Sequence, residues 1–209
     1  MTAFTPGYGE TPVSDDEMQA LLADARTALG SPINKAAIFD LEQELQNEVT
    51  EQLLTQVLVD ELALQDLPHD GFVRELHERL YGDIWTWAGR FRKRELNIGV
   101  APEQIAVDLR NALDSIQYRW NTTQDWTPRE LGIAVHAELV RIHPFTDGNG
   151  RTTRLLADLV FAATQDDETL HGYDWNIDKA HYITLLRQYD VNRDSSALAA
   201  FIPVFPFPE

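Results

Sequence analysis

Twelve consecutive residues, His143-Pro144-Phe145-Thr146-Asp147-Gly148-Asn149-Gly150-Arg151-Thr152-Thr153-Arg154, hold an imidazole, a carboxylate, two glycines, an amide and two guanidinium groups. Each type has a chemical use. The imidazole of His143, with an ordinary pKa of about 6.5, suits a general base near neutrality, placed to take a proton from an incoming hydroxyl. Gly148 and Gly150 let the backbone turn tightly and come close to a ligand. Where such a loop feeds the N-terminus of a helix, free N–H groups and the positive dipole end favour an anion. Arg151 and Arg154, one turn apart, add forked donors that match phosphate oxygens. Asp147 would repel phosphate by itself, but a carboxylate beside a phosphate site commonly holds Mg²⁺ that bridges phosphate oxygens. Base, metal ligand, anion cradle and charge clamp form a complete set for transfer of a phosphorus-containing group.

Two helices must position these groups. Before the stretch, Leu131, Ala134, Val135, Leu139 and Ile142 recur at helical spacing from Pro128, after a capping-box signature at Thr127 and Glu130. Pro144 ends that helix, because a residue preceding proline is pushed out of the α region. After the stretch, Leu155, Leu156, Leu159 and Val160 predict a helix over 151–163. The stretch is therefore a helix–loop–helix corner.

The stretch resembles the signature of the Fic domain family, His-Pro-Phe-x-Asp/Glu-Gly-Asn-Gly-Arg-x-x-Arg, with every specified position matched. The resemblance runs over roughly 35–203 and includes Trp85-Thr86-Trp87-Ala88-Gly89-Arg90-Phe91-Arg92 and Asn97-Ile98-Gly99-Val100; within the family it is similar to the bacterial subgroup called mobile mystery protein B. It implies a mainly α Fic-type helical bundle with a short β-hairpin flap near the active site. It also implies a protein adenylyltransferase, which moves AMP from Mg·ATP to a Tyr, Thr or Ser hydroxyl of a target protein and releases pyrophosphate. On that implication His143 is the base and Asp147 holds Mg²⁺ between the α- and β-phosphates. Asn149, with the Gly148 and Gly150 backbone, cradles those phosphates. Arg151 holds phosphate oxygens and Arg154 binds the γ-phosphate. Phe145 anchors the loop, and Leu96, Asn97 and Ile98 belong to a flap on which the target docks as an added strand. Tyr182 and Tyr189 are candidate neighbours of the adenine. Many relatives carry an inhibitory glutamate that pairs with the second motif arginine. Chain position points to Glu42, although Ile38 and Gln43 depart from the Ser/Thr and Gly/Asn of that pattern.

The rest of the chain reads as helices and turns. Ser14 to Glu17 forms a capping box for a helix reaching towards Leu29, which Gly30 and Pro32 end. Ile38, Leu41, Leu45, Val49 and Leu53 predict a longer helix with an acidic opposite face, the segment 38–60 in which inhibition would reside. Asp70 is a cap for a helix over 72–81, and Ile105, Leu109, Leu113 and Ile116 mark another over 103–120. Residues 94–100 read as a loop, edge strand or hairpin, and 165–173 as a polar loop. Asp178 caps a helix containing Ile183 and Leu186, and a last helix lies near 196–204. The aromatics Trp85, Trp87 and Phe91 fit core packing, whereas Arg90, Arg92, Lys93 and Arg94 fit either a solvated turn or a rim that attracts phosphates. The organisation expected is a lead-in with a short helix over 1–34, a catalytic domain over 35–203 and a tail over 204–209.

Composition narrows the partners. The 209 residues, 44% apolar, suffice for a sizeable core, and 34 acidic against 17 basic residues give a net charge of −17. So acidic a surface argues against nucleic acid and membrane; ATP, an unidentified target protein and self-modification are the partners that the resemblance implies. There is no cysteine, so disulfides and thiolate metal sites are excluded. No run approaches membrane-spanning length, and a cytoplasmic location is expected. Alternatives remain for the motif. His136 and His143 could form a metal pair, but Ala137 stands where a zinc protease needs glutamate. The calcium-loop pattern fails for want of its closing glutamate. Within the family, transfer of another nucleotide, removal of AMP or phosphorylation are runners-up. The phosphorylating death-on-curing relatives have lysine near the second glycine, where this chain has Gly150. A nucleotide-binding adaptor without catalysis is the non-enzymatic alternative.

Overall fold

Most helix entries sit where local side-chain chemistry puts them, and the computed structural model describes them within residues 14–165 and 170–207. The first part of the expected lead-in, residues 1–13, lies outside the described residues. Ser14 caps α1 (Asp15–Ala20) with a complete capping box, and Thr127 does the same for α6 (Pro128–Ile142). Asn34 caps α3 (Lys35–Leu58), and Asp178 caps α8 (Lys179–Asn192) by accepting the His181 N–H at 2.7 Å. The cap of α4 (Asp70–Tyr81) is a correction. His69, not Asp70, accepts the Phe72 N–H at 3.0 Å, while Asp70 sits in the first turn and pairs with Arg110.

The first predicted helix is broken in two. After α1 the chain extends through Leu21 and Leu22 before α2 (Ala23–Leu29) begins. The cause is tertiary. Leu22 donates its N–H to the Ile84 carbonyl at 2.9 Å, Thr86 donates to Ala20 at 2.9 Å, and Leu21 bridges Trp85. This short β-like seam buries Leu21 in the core and fastens the N-terminal helices to the Trp85 segment.

α6 is buried along nearly its whole length, and its faces serve two apolar clusters. Leu131, Ala134, Val135, Leu139 and Ile142 join α3, α4, α5 (Ile105–Thr122) and α7 (Asn149–Ala162). Ile133 and Ala137 turn the other way, to α8, α9 (Ser196–Phe201) and Tyr173. A helix apolar all round belongs at the centre, where each fully buried Leu or Ile contributes roughly 1.5–3 kcal/mol. α6 and α7 pack along each other more extensively than any other pair of elements among the described residues, and the motif loop joins them.

The two-stranded antiparallel sheet lies away from the expected flap. β1 (His171–Tyr173) pairs with β2 (Val204–Pro206) in the register Gly172 to Phe205. Residues expected as a polar loop and as a tail therefore form strands. The 94–100 segment contains bends and no strand. The sheet is held in place by Tyr173, whose hydroxyl donates to the Arg129 carbonyl and fills the space left by Gly132, where a side chain would collide with it. Among the described residues no helix is long and apolar enough to cross a membrane.

Candidate active site

The corner between α6 and α7 encloses a cavity of about 250 Å³ lined by His143, Thr146, Asp147, Gly148, Asn149, Gly150, Arg151 and Arg154. Eight of the twelve residues of the motif thus meet around one space. A larger cavity of about 390 Å³ lies between α5, α6 and α8, but its principal ionised groups, among them Glu138, Arg141 and Arg119, already pair with one another or with neighbours.

His143 ends α6 in the left-handed conformation, φ 53° and ψ 63°, and donates its N–H to the Leu139 carbonyl at 2.9 Å. A β-carbon makes that conformation unfavourable, and such strain persists only where the surroundings enforce it, commonly at functional positions. Burial, and then the positive charge of Arg92, lower the pKa of His143 below the ordinary 6.5. The imidazole is therefore neutral at pH 7, the form a general base requires.

The loop beyond it is braced from within. Asn149 Oδ1 accepts the Phe145 N–H at 2.8 Å, and Asn149 Nδ2 donates to the Phe145 carbonyl at 2.8 Å. These two bonds use one donor and one acceptor of the amide, so Asn149 shapes the cradle while its second Nδ2 hydrogen is not committed to the loop. Phe145 is buried and stacks on His77 at 3.7 Å between ring centres, which supports its expected role as an anchor.

His77 was not singled out in the sequence, yet it holds the loop. Its Nδ1 accepts the Gly89 N–H at 2.9 Å, which places the proton on Nε2 and lets that nitrogen donate to the Asp147 carbonyl at 3.1 Å. Burial pushes its pKa down to about 4, so this neutral tautomer is fixed. A signal was available. His77 occupies a position on the apolar face of α4 beside Leu76 and Leu80, where a polar side chain needs dedicated partners.

The two motif glycines differ in their reason for being glycine. Gly148 has φ 72°, and a Cβ there would lie 2.5 Å from the Tyr81 ring. A Cβ at Gly150 would meet nothing within 4 Å. The fold requires the first, whereas the second keeps the mouth of the cavity open at the start of α7, where no side chain caps the helix. Free N–H groups at that helix end favour an anionic guest.

The arginines are in different states. Arg151 pairs with Glu42 and lies 4.9 Å from the centre of the Tyr81 ring. Glu42 is 6% exposed and also accepts the Trp85 indole N–H at 2.7 Å. The resemblance implied a pairing with the second motif arginine; here the partner is the first. Arg154 has no carboxylate partner among the described residues, and its buried Nε has no hydrogen-bond acceptor. Its guanidinium lies 5.7 Å from the centre of the Trp175 ring, and Trp175 donates to Asp158 at 3.0 Å. Burial raises the Asp158 pKa to about 6.

For Mg²⁺ the donor set fits in kind. Mg²⁺ takes one or two carboxylates and completes its shell with water and substrate phosphates. Asp147 is exposed at the cavity, and no group of three or more His, Cys, Asp or Glu that could hold a metal occurs among the described residues. Its Oδ1 accepts the Gly148 N–H at 2.6 Å, which fixes the carboxylate in place. His136 is fully buried, with Nε2 bonded to the Tyr182 hydroxyl at 2.7 Å. Of the two candidate adenine neighbours, Tyr189 is buried and donates to Glu138, and neither lines the motif cavity. Leu96 and Ile98 are exposed, as a docking segment must be, but without strand geometry.

Comparison with known proteins agrees with this geometry. The model of the Fic/DOC family matches residues 69–161. The "Protein adenylyltransferase fic-1" of Caenorhabditis elegans is 36% identical over 106 residues, which is 48% of this chain and 19% of that protein. The chain therefore spans about a fifth of the length of this curated relative. Among solved structures, a Fic domain containing signaling protein from Bacteroides thetaiotaomicron superposes with a TM-score of 0.57 at 24% identity, covering 76% of this chain and 60% of that one. BepC from Bartonella tribocorum, solved with bound AMPPNP, gives a TM-score of 0.52 at 17% identity, covering 79% and 89%. The same helical scaffold in these structures, the matched family model and the complete motif around one cavity lead to one conclusion: residues 69–161 of this chain are similar to a Fic/DOC family domain.

Proposed function

We propose that the chain is a protein adenylyltransferase of the Fic type, which moves AMP from ATP to a hydroxyl of a target protein. The observation that carries the reading is the strained, neutral His143 facing the same cavity as the uncapped start of α7 and the two arginines. The name of the C. elegans relative and the AMPPNP bound to BepC support it. In the reaction, the target oxygen gives its proton to His143 Nδ1 or Nε2 and attacks the α-phosphorus. The bond from that phosphorus to the α–β bridging oxygen breaks. Pyrophosphate leaves and an AMP phosphodiester remains on the target.

The roles follow from position. The N–H groups at Gly150 and Arg151 receive phosphate oxygens at the helix start. Arg154, without a carboxylate partner among the described residues, takes the terminal phosphate, and Arg151 takes oxygens once Glu42 releases it. Asp147 would hold Mg²⁺, which supplies charge neutralisation along the triphosphate. Leu96, Asn97 and Ile98 present the target. Glu42 in its observed position competes with phosphate for Arg151, which supports reading it as the inhibitory residue. Residues 35–203 are proposed as the catalytic unit, with α1 and α2 as a brace and α3 as the inhibitory helix. A mobile mystery protein B-like subgroup and a cytoplasmic setting belong to the same reading.

The test uses ATP labelled at the α- or the γ-phosphate in parallel, with Mg²⁺, a host lysate and the chain, its His143→Ala variant and its Glu42→Gly variant. Label from the α-position alone, lost in His143→Ala and raised in Glu42→Gly, is expected. Label from the γ-position would mean phosphoryl transfer, and nucleotide binding without label in any variant would mean an adaptor.

A further inference from the structure

Arg92 is 4% exposed and takes part in no ion pair among the described residues. A buried guanidinium is tolerated only when its five N–H donors are met. Here each of the three nitrogens donates to a backbone carbonyl. Nε donates to His143 at 2.8 Å, Nη1 to Arg94 at 3.0 Å, and Nη2 to Val100. The Arg92 backbone N–H adds a bond to the Pro144 carbonyl at 2.9 Å.

These partners have a pattern. Residues 93–99 are exposed, and both ends of that segment converge on the 142–144 turn. At the far end, Val100 donates its N–H to Ile142 at 3.2 Å. Gly99 has φ 90°, and a Cβ there would stand 2.7 Å from both Arg92 Nη2 and the His143 Cβ. The loop is thus seated flush on the base-bearing residue, with one guanidinium joining its two ends to the carbonyl of His143. A surface arginine in an acidic chain would sit in solvent or against a carboxylate, and Arg90 and Lys93 beside it are exposed.

We infer that Arg92 is a positioning residue that sets the register between a target segment laid on residues 93–99 and the His143 imidazole. The inference rests on the adenylyl-transfer reading and adds to it the means by which docking and base are aligned. Arg92 does not line the nucleotide cavity, so its replacement leaves ATP binding alone. A lysine keeps the charge but has a compact ammonium that cannot span three carbonyls in a fixed fork. A misplacement of about 1 Å between reacting groups costs on the order of 100-fold in rate.

The experiment uses the Glu42→Gln chain as parent and adds Arg92→Lys. With α-labelled Mg·ATP, two products are followed: AMP on protein, by self-modification, and free AMP from water attack, which needs no docking segment. ATP affinity and amide exchange at Val100 are measured on the same samples. The expected result is a transfer-to-hydrolysis ratio lowered at least tenfold, unchanged ATP affinity and faster exchange at Val100. Gly99→Ala, which wedges the same contact from the loop side, gives the same selective loss and serves if Arg92→Lys does not fold. Parallel loss of both products, or an unchanged ratio, overturns the inference alone. Absence of both labelled products from the parent overturns the adenylyl-transfer reading and the inference with it.

Discussion

Replacing Glu42 by Gln removes one charge and almost nothing else. The amide keeps the shape of the side chain and still accepts the Trp85 indole N–H, so α3 stays docked. What is lost is the ion pair with Arg151. Breaking a fully buried pair commonly costs 3–5 kcal/mol, on the order of the remaining charge's desolvation. The Arg151 side chain is 29% exposed at an open cavity, so water hydrates it and the cost falls to about 1–2 kcal/mol. For a chain of this size that lowers the thermal midpoint by about 3–6 °C. The gain is in the cavity. A guanidinium freed for a phosphate oxygen offers a charged hydrogen bond of about 1.5–3 kcal/mol. At 1.4 kcal/mol per tenfold, Mg·ATP should bind about 10- to 100-fold more tightly. Isothermal titration of Mg·ATP, read with a melting curve on the same samples, measures both. A midpoint that drops while ATP affinity stays unchanged would refute the reasoning, because the pair would then be broken without consequence for the nucleotide.

Three further outcomes follow from the site and the core. Gly148→Ala should cost several kcal/mol or prevent folding, since its φ is 72° and the added methyl meets the Tyr81 ring; Gly150→Ala should leave the melting midpoint unchanged or higher yet weaken Mg·ATP binding. A pair of melting and binding curves checks this, and the reverse order would exclude the assigned roles. Activity of the Glu42→Gln chain should hold at neutral pH and decline only on acidification below about 6.5, because the His143 pKa is lowered and the base is lost when it takes a proton; a decline beginning above pH 7 would count against His143 as the base. Stability should also fall in acid. The His77 and His136 pKa values are depressed to about 4 and about 3, so on acidification below about pH 6.5 the unfolded chain binds two protons that the folded chain refuses. Asp158, raised to about 6, offsets one of them because the folded form takes its proton first. The slope from these three groups is roughly 1.4 kcal/mol lost per pH unit between about pH 6 and 4, and the lowered His143 adds to it in the same direction. Denaturant midpoints at pH 7, 6 and 5 measure it, and a flat profile would show that the two imidazoles accept protons in place.

Much of this molecule could be read without coordinates. The motif around His143, its flanking helices, the caps at Ser14, Thr127 and Asp178 and the apolar stripes of α5 and α6 all depend on interactions within a few residues. Local chemistry is written locally, so spacing and residue type suffice. The remainder depends on what the chain meets far away in sequence. Glu42 finds Arg151 across 109 positions; chain position and the family resemblance singled out Glu42, but only the fold decided that its partner is the first motif arginine. Leu21 and Leu22 leave the helix because residues 84–86 offer them a better set of hydrogen bonds. β1 and β2 exist only because the two segments are brought side by side, since neither is long enough to declare itself. Asn149 reads as a ligand for phosphate, and only the closed loop shows that its amide also braces the Phe145 backbone. Arg92 reads as one of a basic run until it is buried among carbonyls. The sequence determined which chemical groups are present and which helices carry them. The tertiary structure decided which of those groups are spent on one another and which remain available to a substrate, because a buried polar atom must take whatever partner packing delivers.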